Sequence, residues 1–460
     1  MGSNYSSSGA SHLFALIYLV GLGILPLVGC QRTSVSSDVT QALVAPAGVI
    51  PVQVVQQQGQ AQLLRGGKPY YIKGAAGLQH YEAIREAGGN SVRLWTTDFA
   101  DTLMNAAHQN NISVMLGIWL EREQEGFDYY DEAQVLRQRE YVRKQVLRYR
   151  RHPALLMWNL GNEMDLNAKN PKVYEAINNL AVMVHELDPY HPVTTTLSGN
   201  LGMIRNVKAW CPAIDILSIN AFGSLDVLPE DLRGYGWTKP YIVTEYGGLG
   251  YWESPTTTWM APLEQSSTNK AENLRKAYVG TIQAARAQCI GAYAFYWGQK
   301  FEFTNTWFGL FTPEGEKTAM IDVLQELWTG HKPANTSPRL EWLVLNKQQD
   351  SSSVSIPAGS RAMAYVGATD AEGDTLTARW EVRPDKQITE RYEERSTPTE
   401  PLPHAIRQAT GLQAEVVAPR TPGFYRLSVI VSDGKGSAAM ANLPFMVTAR
   451  PRPKLVASLR

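Results

Sequence analysis

From Tyr70 to Trp328 short apolar runs alternate with amphipathic stretches, the pattern of repeated β-α units. The runs predict eight strands, at Tyr70–Lys73, Ser91–Trp95, Ile112–Trp119, Leu155–Leu160, Val193–Leu197, Ile214–Asn220, Tyr241–Glu245 and Ile290–Trp297. Between them, Leu78, Tyr81, Ile84 and Ala87 recur every three residues and stop at Gly88-Gly89, a helix end. Val135, Val142, Val146 and Tyr149 form a stripe on a segment crowded with Arg and Lys, whose charges read as a solvated helix face. The sixth unit is the weakest, because Val227–Leu232 is short and contains Pro229. Eight such units over about 270 residues fit a closed (β/α)8 barrel. An open doubly wound sheet would need a phosphate-loop spacing that Gly74-Ala75-Ala76-Gly77 lacks.

Past Gly330 the texture changes. Residues 332–338 carry Pro, Asn and Ser and read as a linker, and the alternating runs Ala362–Val366, Thr375–Val382 and Tyr425–Val431 predict antiparallel strands over 339–450. This segment resembles an immunoglobulin-like or cadherin-like sandwich; its acidic turns, Asp370–Asp374 and Asp433–Gly436, read as solvated turns in preference to Ca2+ sites. A C-terminal tail follows over 451–460. The expected architecture is therefore α/β, a (β/α)8 barrel over 61–331 with a small all-β sandwich. A chain ending near Ser337 is expected to fold without the sandwich.

At the other end, Leu13–Val28 is an apolar run shorter than a membrane-spanning helix, leading into Leu27-Val28-Gly29-Cys30. That segment resembles the lipobox of bacterial lipoproteins, although no Lys or Arg precedes the run. The resemblance implies a signal over 1–30 and lipidation of Cys30. Gln31 in place of Asp implies the outer membrane, with the lipid anchor as the only membrane contact. Residues 31–60, mixing Ser, Gln, Pro and Val, read as a tether. The remaining cysteines, Cys211 and Cys289, stand before apolar runs with no His or Cys at metal-ligand spacing; they read as buried small side chains, with a disulfide between them left open.

Composition narrows the partners. Acidic and basic residues number 43 each, so no net field draws nucleic acid or an anionic surface, and an uncharged partner such as a neutral sugar fits better. The 12 Trp and 21 Tyr are compatible with flat sugar-binding faces.

The chemistry lies at two strand ends. Trp158-Asn159-Leu160-Gly161-Asn162-Glu163 follows an apolar run, and Tyr241–Thr244 is another run ending in Glu245. In a barrel both carboxylates stand at the C-terminal mouth, three strands apart. Facing carboxylates are what glycosidic cleavage needs, one protonated to assist the leaving oxygen and one ionised to attack the anomeric carbon. The charge of Glu245 is expected to raise the pKa of Glu163. Together with Arg151-His152-Pro153-Ala154 and Thr244–Gly247, these segments resemble the catalytic barrel of glycoside hydrolase family 2 and, more broadly, clan A of the glycoside hydrolases, from about Tyr70 to Trp328.

The resemblance implies a retaining β-glycosidase without metal or organic cofactor; with the lipobox-like segment, the expected substrate is a β-linked oligo- or polysaccharide outside the cytoplasm. It implies Glu163 as acid/base, Glu245 as nucleophile, Asn162 as donor to the sugar 2-hydroxyl, Arg93 as the cation beside the nucleophile, and Trp297 as sugar platform. Asn220-Ala221-Phe222 departs from it by placing Phe where the clan has a hydroxyl or imidazole near the nucleophile; Tyr246 or Tyr251 could substitute. The sandwich domains that precede the family 2 barrel have no counterpart in the expected tether. Trp95, Trp119, Trp252, Trp259 and Trp307 are candidate subsite platforms, and Glu121 faces either substrate or solvent. A β-glucan transglycosylase with the same pair, or a carbohydrate-binding envelope protein without turnover, are the rival readings.

Overall fold

The computed structural model describes residues 45–349 and 353–450. The lipobox-like segment with Cys30, the first part of the expected tether and the C-terminal tail lie outside them.

Three short strands come first, Val52–Gln57 (β1), Gln60–Arg65 (β2) and Lys68–Tyr70 (β3), paired antiparallel in that order. Their occurrence corrects the expected tether over 31–60 in its last part and the expected first barrel strand at Tyr70–Lys73. Both connections are two-residue turns with positive φ throughout, Gln58-Gly59 at 51° and 77° and Gly66-Gly67 at 57° and 74°. Such turns match the twist of a hairpin and favour glycine. Period-two burial then turns Val52 and Leu63 inward, where they share one hydrophobic cluster with Ile72, Leu156, Ile216, Ile242 and Ile290 from the N-terminal ends of barrel strands. Val52 N and Ala61 N donate to the carbonyls of Tyr190 and Ala287. The small sheet therefore closes the bottom of the barrel.

The barrel comprises eight parallel strands, closed β4 to β11: Ile72–Ala76 (β4), Ser91–Leu94 (β5), Ser113–Ile118 (β6), Leu155–Asn162 (β7), Val193–Leu197 (β8), Ile216–Asn220 (β9), Tyr241–Tyr246 (β10) and Cys289–Phe295 (β11). Their near-continuous apolar composition follows from burial on both faces, by the barrel interior and by the surrounding helices. The third helix, Glu132–Tyr149, starts where the Asp131 carboxylate accepts from Ala133 N and Gln134 N, and it buries Val142, Val146 and Tyr149 while its charged face stays in solvent. Pro229 is accommodated in the first turn of the sixth helix, Leu228–Gly234, where its missing N–H costs nothing. Cys211 and Cys289 are buried and unpaired.

The C-terminal region packs two sheets face to face. One orders Gln348–Gln349 (β13), Arg339–Leu345 (β12), Arg361–Thr369 (β15), Gln413–Val417 (β18) and Ile406–Thr410 (β17); the other orders Val354–Pro357 (β14), Ala438–Thr448 (β20), Gly423–Ser432 (β19) and Thr377–Pro384 (β16). Leu343, Val366 and Val416 of the first meet Val382, Leu427 and Phe445 of the second in one core. In the two acidic turns, Asp370 Oδ1 accepts from Glu372 N and Asp374 N, and Asp433 Oδ1 from Lys435 N and Ser437 N, so these carboxylates close turns.

Sandwich and barrel are joined by buried polar contacts, which a chain ending near Ser337 would lose. Lys270 Nζ meets Glu264 Oε1 at 2.5 Å with both side chains 2% exposed, and Thr304 and Asn442 donate to the other Glu264 oxygen. Arg426 binds the Asp385 carboxylate, the Asn442 amide oxygen and the Pro262 carbonyl. Removing β20 would leave Glu264 without one of its donors and open the pair to water.

Candidate active site

At the C-terminal end of β7 the chain leaves regular strand geometry. The β7–β8 register shifts between Asn159 and Asn162, Gly161 has φ 73°, and Glu163 has φ 52°, a left-handed conformation that costs a side-chain-bearing residue energy. Asn159 holds this bulge, donating to the Gly161 carbonyl at 3.0 Å and accepting from Thr196 Oγ1 at 2.9 Å, while Glu163 N donates to Thr196 O at 2.9 Å. The bulge re-aims the Glu163 carboxylate toward the mouth. Asn159 and Thr196 were missed by the sequence reading. Their signal was present only as the polar Asn159 inside an otherwise apolar strand.

Across the mouth, Glu245 near the end of β10 is held by two donors. Arg93, fully buried on β5, donates Nη1 to Glu245 Oε1 at 2.5 Å, and Trp95 Nε1 reaches the same oxygen at 2.8 Å. The Arg93 Nη2 donates to Asn162 Oδ1 at 2.6 Å, tying the two strand ends together. Asn220, at the end of β9, donates Nδ2 to Glu163 Oε1 at 2.8 Å and to Asn162 Oδ1 at 3.3 Å, and its Oδ1 accepts from Thr244 Oγ1 at 2.9 Å. With Oδ1 engaged twice, the group Asn162 can offer a ligand is its Nδ2 amide. Arg93, Asn162, Glu163, Asn220 and Glu245 thus form one connected network.

The two carboxylates differ in environment. Glu245 accepts from a guanidinium and an indole, the setting of an ionised carboxylate. Glu163 has only the neutral Asn220 amide as a side-chain donor, and its pKa is pushed up to about 7, first by burial and then by the Glu245 charge, against smaller opposing effects of Asn220 and Arg93. The direction is the expected one, but burial is the larger cause and Glu245 the second.

Several expected contacts are corrected. Trp297 is fully buried, donates Nε1 to the His80 carbonyl and packs beside Phe311 and Trp328, so it is core and offers no face to a sugar. β11 ends at Phe295, and the rings that reach the site are Phe295 and Tyr296: Trp95 stacks on Tyr296 at 5.8 Å and meets Phe295 edge-on at 5.9 Å. Tyr246 is likewise fully buried, against Tyr278 on the helix side, and the Tyr251 hydroxyl accepts from the Arg395 guanidinium. Neither donates to Glu245; Trp95 takes that role. Phe222 packs edge-on between Phe295 and Trp252 and adds an apolar wall.

Of the other platforms, Trp119 stands half-buried beyond β6 with Arg122 over its ring, Trp307 is buried with Nε1 on the Leu249 carbonyl, and Trp259 stacks on Phe424 of the sandwich. Trp252 is 53% exposed at the end of the aromatic wall, and Glu121 is exposed. Among the described residues no group of three or more His, Cys, Asp or Glu is placed to hold a metal ion.

The chain is similar to human β-glucuronidase, 22% identical over 281 residues, which are 54% of this chain and 40% of that protein. It is also similar to the pig β-glucuronidase, 24% identical over 247 residues, 46% of this chain and 35% of that one. The chain therefore matches well under half the length of these relatives. Among solved structures, the Bacteroides uniformis β-glucuronidase aligns with a TM-score of 0.49 at 14% identity, covering 87% of this chain and 48% of that one. That from Dictyoglomus thermophilum aligns at 0.49 and 18%, covering 61% and 54%. Residues 111–278, from the approach to β6 through the helix after β10 and spanning both Glu163 and Glu245, match the family model for the TIM barrel domain of glycosyl hydrolases family 2.

Proposed function

We propose that this chain is a retaining β-glycosidase in which Glu245 is the nucleophile and Glu163 the general acid/base. The observation that carries the reading is the asymmetry of the pair, with Glu245 clasped by Arg93 and Trp95, and Glu163 raised to about 7 on a neutral amide. In the first step a Glu245 oxygen attacks the anomeric carbon, the glycosidic C–O bond breaks, and Glu163 passes its proton to the leaving oxygen. In the second, Glu163 takes a proton from water, the water oxygen attacks the same carbon, and the bond to Glu245 breaks, restoring both groups with net retention. Asn162 Nδ2 bonds the sugar 2-hydroxyl, and Trp95, Phe295 and Tyr296 wall the ring. The match to family 2 and the names of the similar proteins support a β-linked glycone and make a β-glucuronide the first to test.

The lipobox-like Leu27–Cys30 belongs to the same proposal, placing the enzyme at the cell envelope, acylated at Cys30. Cys30→Ser then releases the protein from membranes. For the chemistry, the deciding experiment is turnover of p-nitrophenyl β-glycosides with proton NMR of the first-formed sugar. A β-anomer appearing first is expected; an α-anomer appearing first refutes the double displacement.

A further inference from the structure

The backbone that presents Glu163 is held in a conformation it would leave if it were free. Glu163 has φ 52° and Gly161, two residues earlier, φ 73°. A side-chain-bearing residue stays in the left-handed region only where its surroundings fix it. Toward β6 the pin is Met164, 3% exposed and packed in the same core cluster as Leu120. Its Cγ and Sδ fold back over Gly161 so closely that a Cβ there would stand 2.6 and 2.7 Å from them. Toward β8 the pin is Asp165. Its Oδ1 accepts from Ser198 N at 2.8 Å and its Oδ2 from Ser198 Oγ at 2.6 Å, and Ser198 directly follows β8. Within the turn Leu166 N donates to the Glu163 carbonyl at 3.0 Å, and Ala168 N to the Asp165 carbonyl at 3.2 Å.

Asp165 is a carboxylate 3% exposed, two residues from the acid/base, and neither step of the proposed reaction uses it. Burial raises its pKa, and the two Ser198 bonds oppose that rise. A carboxylate takes both donors at once, one on each oxygen, whereas an amide in its place has one oxygen to offer and a methyl group none. Without this clasp Glu163 is free to relax to a negative φ. Its carboxyl would then swing away from Asn220 Nδ2, which it now meets at 2.8 Å, and out of line with the oxygen it must protonate.

We infer that Asp165 is a positioning residue for the acid/base: clasped to Ser198, it keeps the turn after β7 in the strained conformation that aims the Glu163 carboxyl at the leaving oxygen. The inference rests on the glycosidase reading of Glu163 and Glu245. Because Asp165 acts through Glu163, its loss falls on proton transfer to the leaving group and not on attack by Glu245.

The test compares the unchanged protein with Asp165→Ala, Asp165→Asn and Ser198→Ala on aryl β-glycosides of one glycone, with dinitrophenyl, nitrophenyl and phenyl leaving groups. Assays are run at pH 5, where a carboxyl with a pKa of about 7 is protonated. Dinitrophenolate departs without a proton and phenolate needs one, so the slope of log kcat/KM against leaving-group pKa reports how well the acid is placed. Asp165→Ala is expected to lower kcat/KM at least about tenfold more on the phenyl than on the dinitrophenyl glycoside. Ser198→Ala steepens the slope less, because the backbone N–H of residue 198 still reaches Oδ1, and Asp165→Asn restores most of the parent slope through its one oxygen on that N–H. Loss of stability cannot imitate this pattern, since a smaller folded fraction lowers every rate by the same factor. Equal losses across the series, no loss at all, or an Asn variant as steep as the Ala variant would overturn the inference while leaving the glycosidase reading standing. If the unchanged protein cleaves none of the β-glucuronides, β-glucosides, β-galactosides and β-mannosides, that reading fails and this inference falls with it.

Discussion

Replacing Glu163 by Gln tests the electrostatics of the site without relying on a substrate. Its pKa rises from 4.5 to about 7 on folding, because burial and then Glu245 penalise the ionised form. A raised carboxylate pKa means that the folded state holds the proton more tightly than the unfolded one between those values, so stability falls as pH rises through that window. Below pH 4.5 the effect is small; above 7 it is complete. Linkage gives a cost of about 1 kcal/mol at pH 5 and about 3 kcal/mol at pH 8. Gln has nearly the same shape, cannot ionise, and keeps an oxygen to accept from Asn220 Nδ2. Glu163→Gln is therefore expected to unfold later than the parent at pH 8, by about 2 kcal/mol more than any difference at pH 5. Denaturant titration at the two pH values with a common m-value measures this directly. A stability difference that does not change with pH would refute the raised pKa. Independently, kcat/KM of the parent should fall on the alkaline side with a midpoint near 7, as the acid is lost.

Glu245→Ala is expected to abolish turnover on every substrate, whereas Glu163→Ala keeps activity on dinitrophenyl glycosides and is accelerated by azide with formation of a β-glycosyl azide; product analysis by NMR checks it, and equal rescue of both variants would reverse the roles. Trp95→Phe keeps the ring against Tyr296 but removes the indole N–H from Glu245, a charge-assisted bond of about 1.5–3 kcal/mol, so kcat/KM should fall about ten- to a hundredfold with Tm little changed. Lys270→Met leaves Glu264 buried without its cation and should cost about 3–5 kcal/mol in denaturant unfolding, with Glu264→Leu added in the double variant recovering much of it; a loss below 1 kcal/mol would mean that water reaches the pair.

The barrel was legible because parallel strands buried on both faces read as apolar runs, and the carboxylates because each interrupts such a run at its C-terminal end. What was not legible depends on where the chain bends. Strand alternation would carry Trp297 to the same face as Phe295, but β11 ends at Phe295 and the chain bends beyond it, so Trp297 goes to the core with Trp328 while Phe295 and Tyr296 form the wall. Gln58-Gly59 carried a hairpin signal that the surrounding glutamines disguised as a tether. The domain interface could not be read at all, because Glu264, Lys270 and Asn442 meet only through the tertiary fold. The partner of Glu245 shows the same limit most sharply. Phe222 signalled that the usual hydroxyl was missing, and a search along the chain suggested Tyr246 or Tyr251, both close to Glu245 in sequence. Period-two alternation sends Tyr246 to the opposite face of its strand from Glu245, against the helices, and Tyr251 is taken by Arg395. Closing the barrel instead carries the end of β5 to the same mouth, so the donor comes from Trp95, 150 residues earlier in the chain. A missing catalytic neighbour in a barrel is therefore better sought at the ends of the other strands than beside the residue it serves.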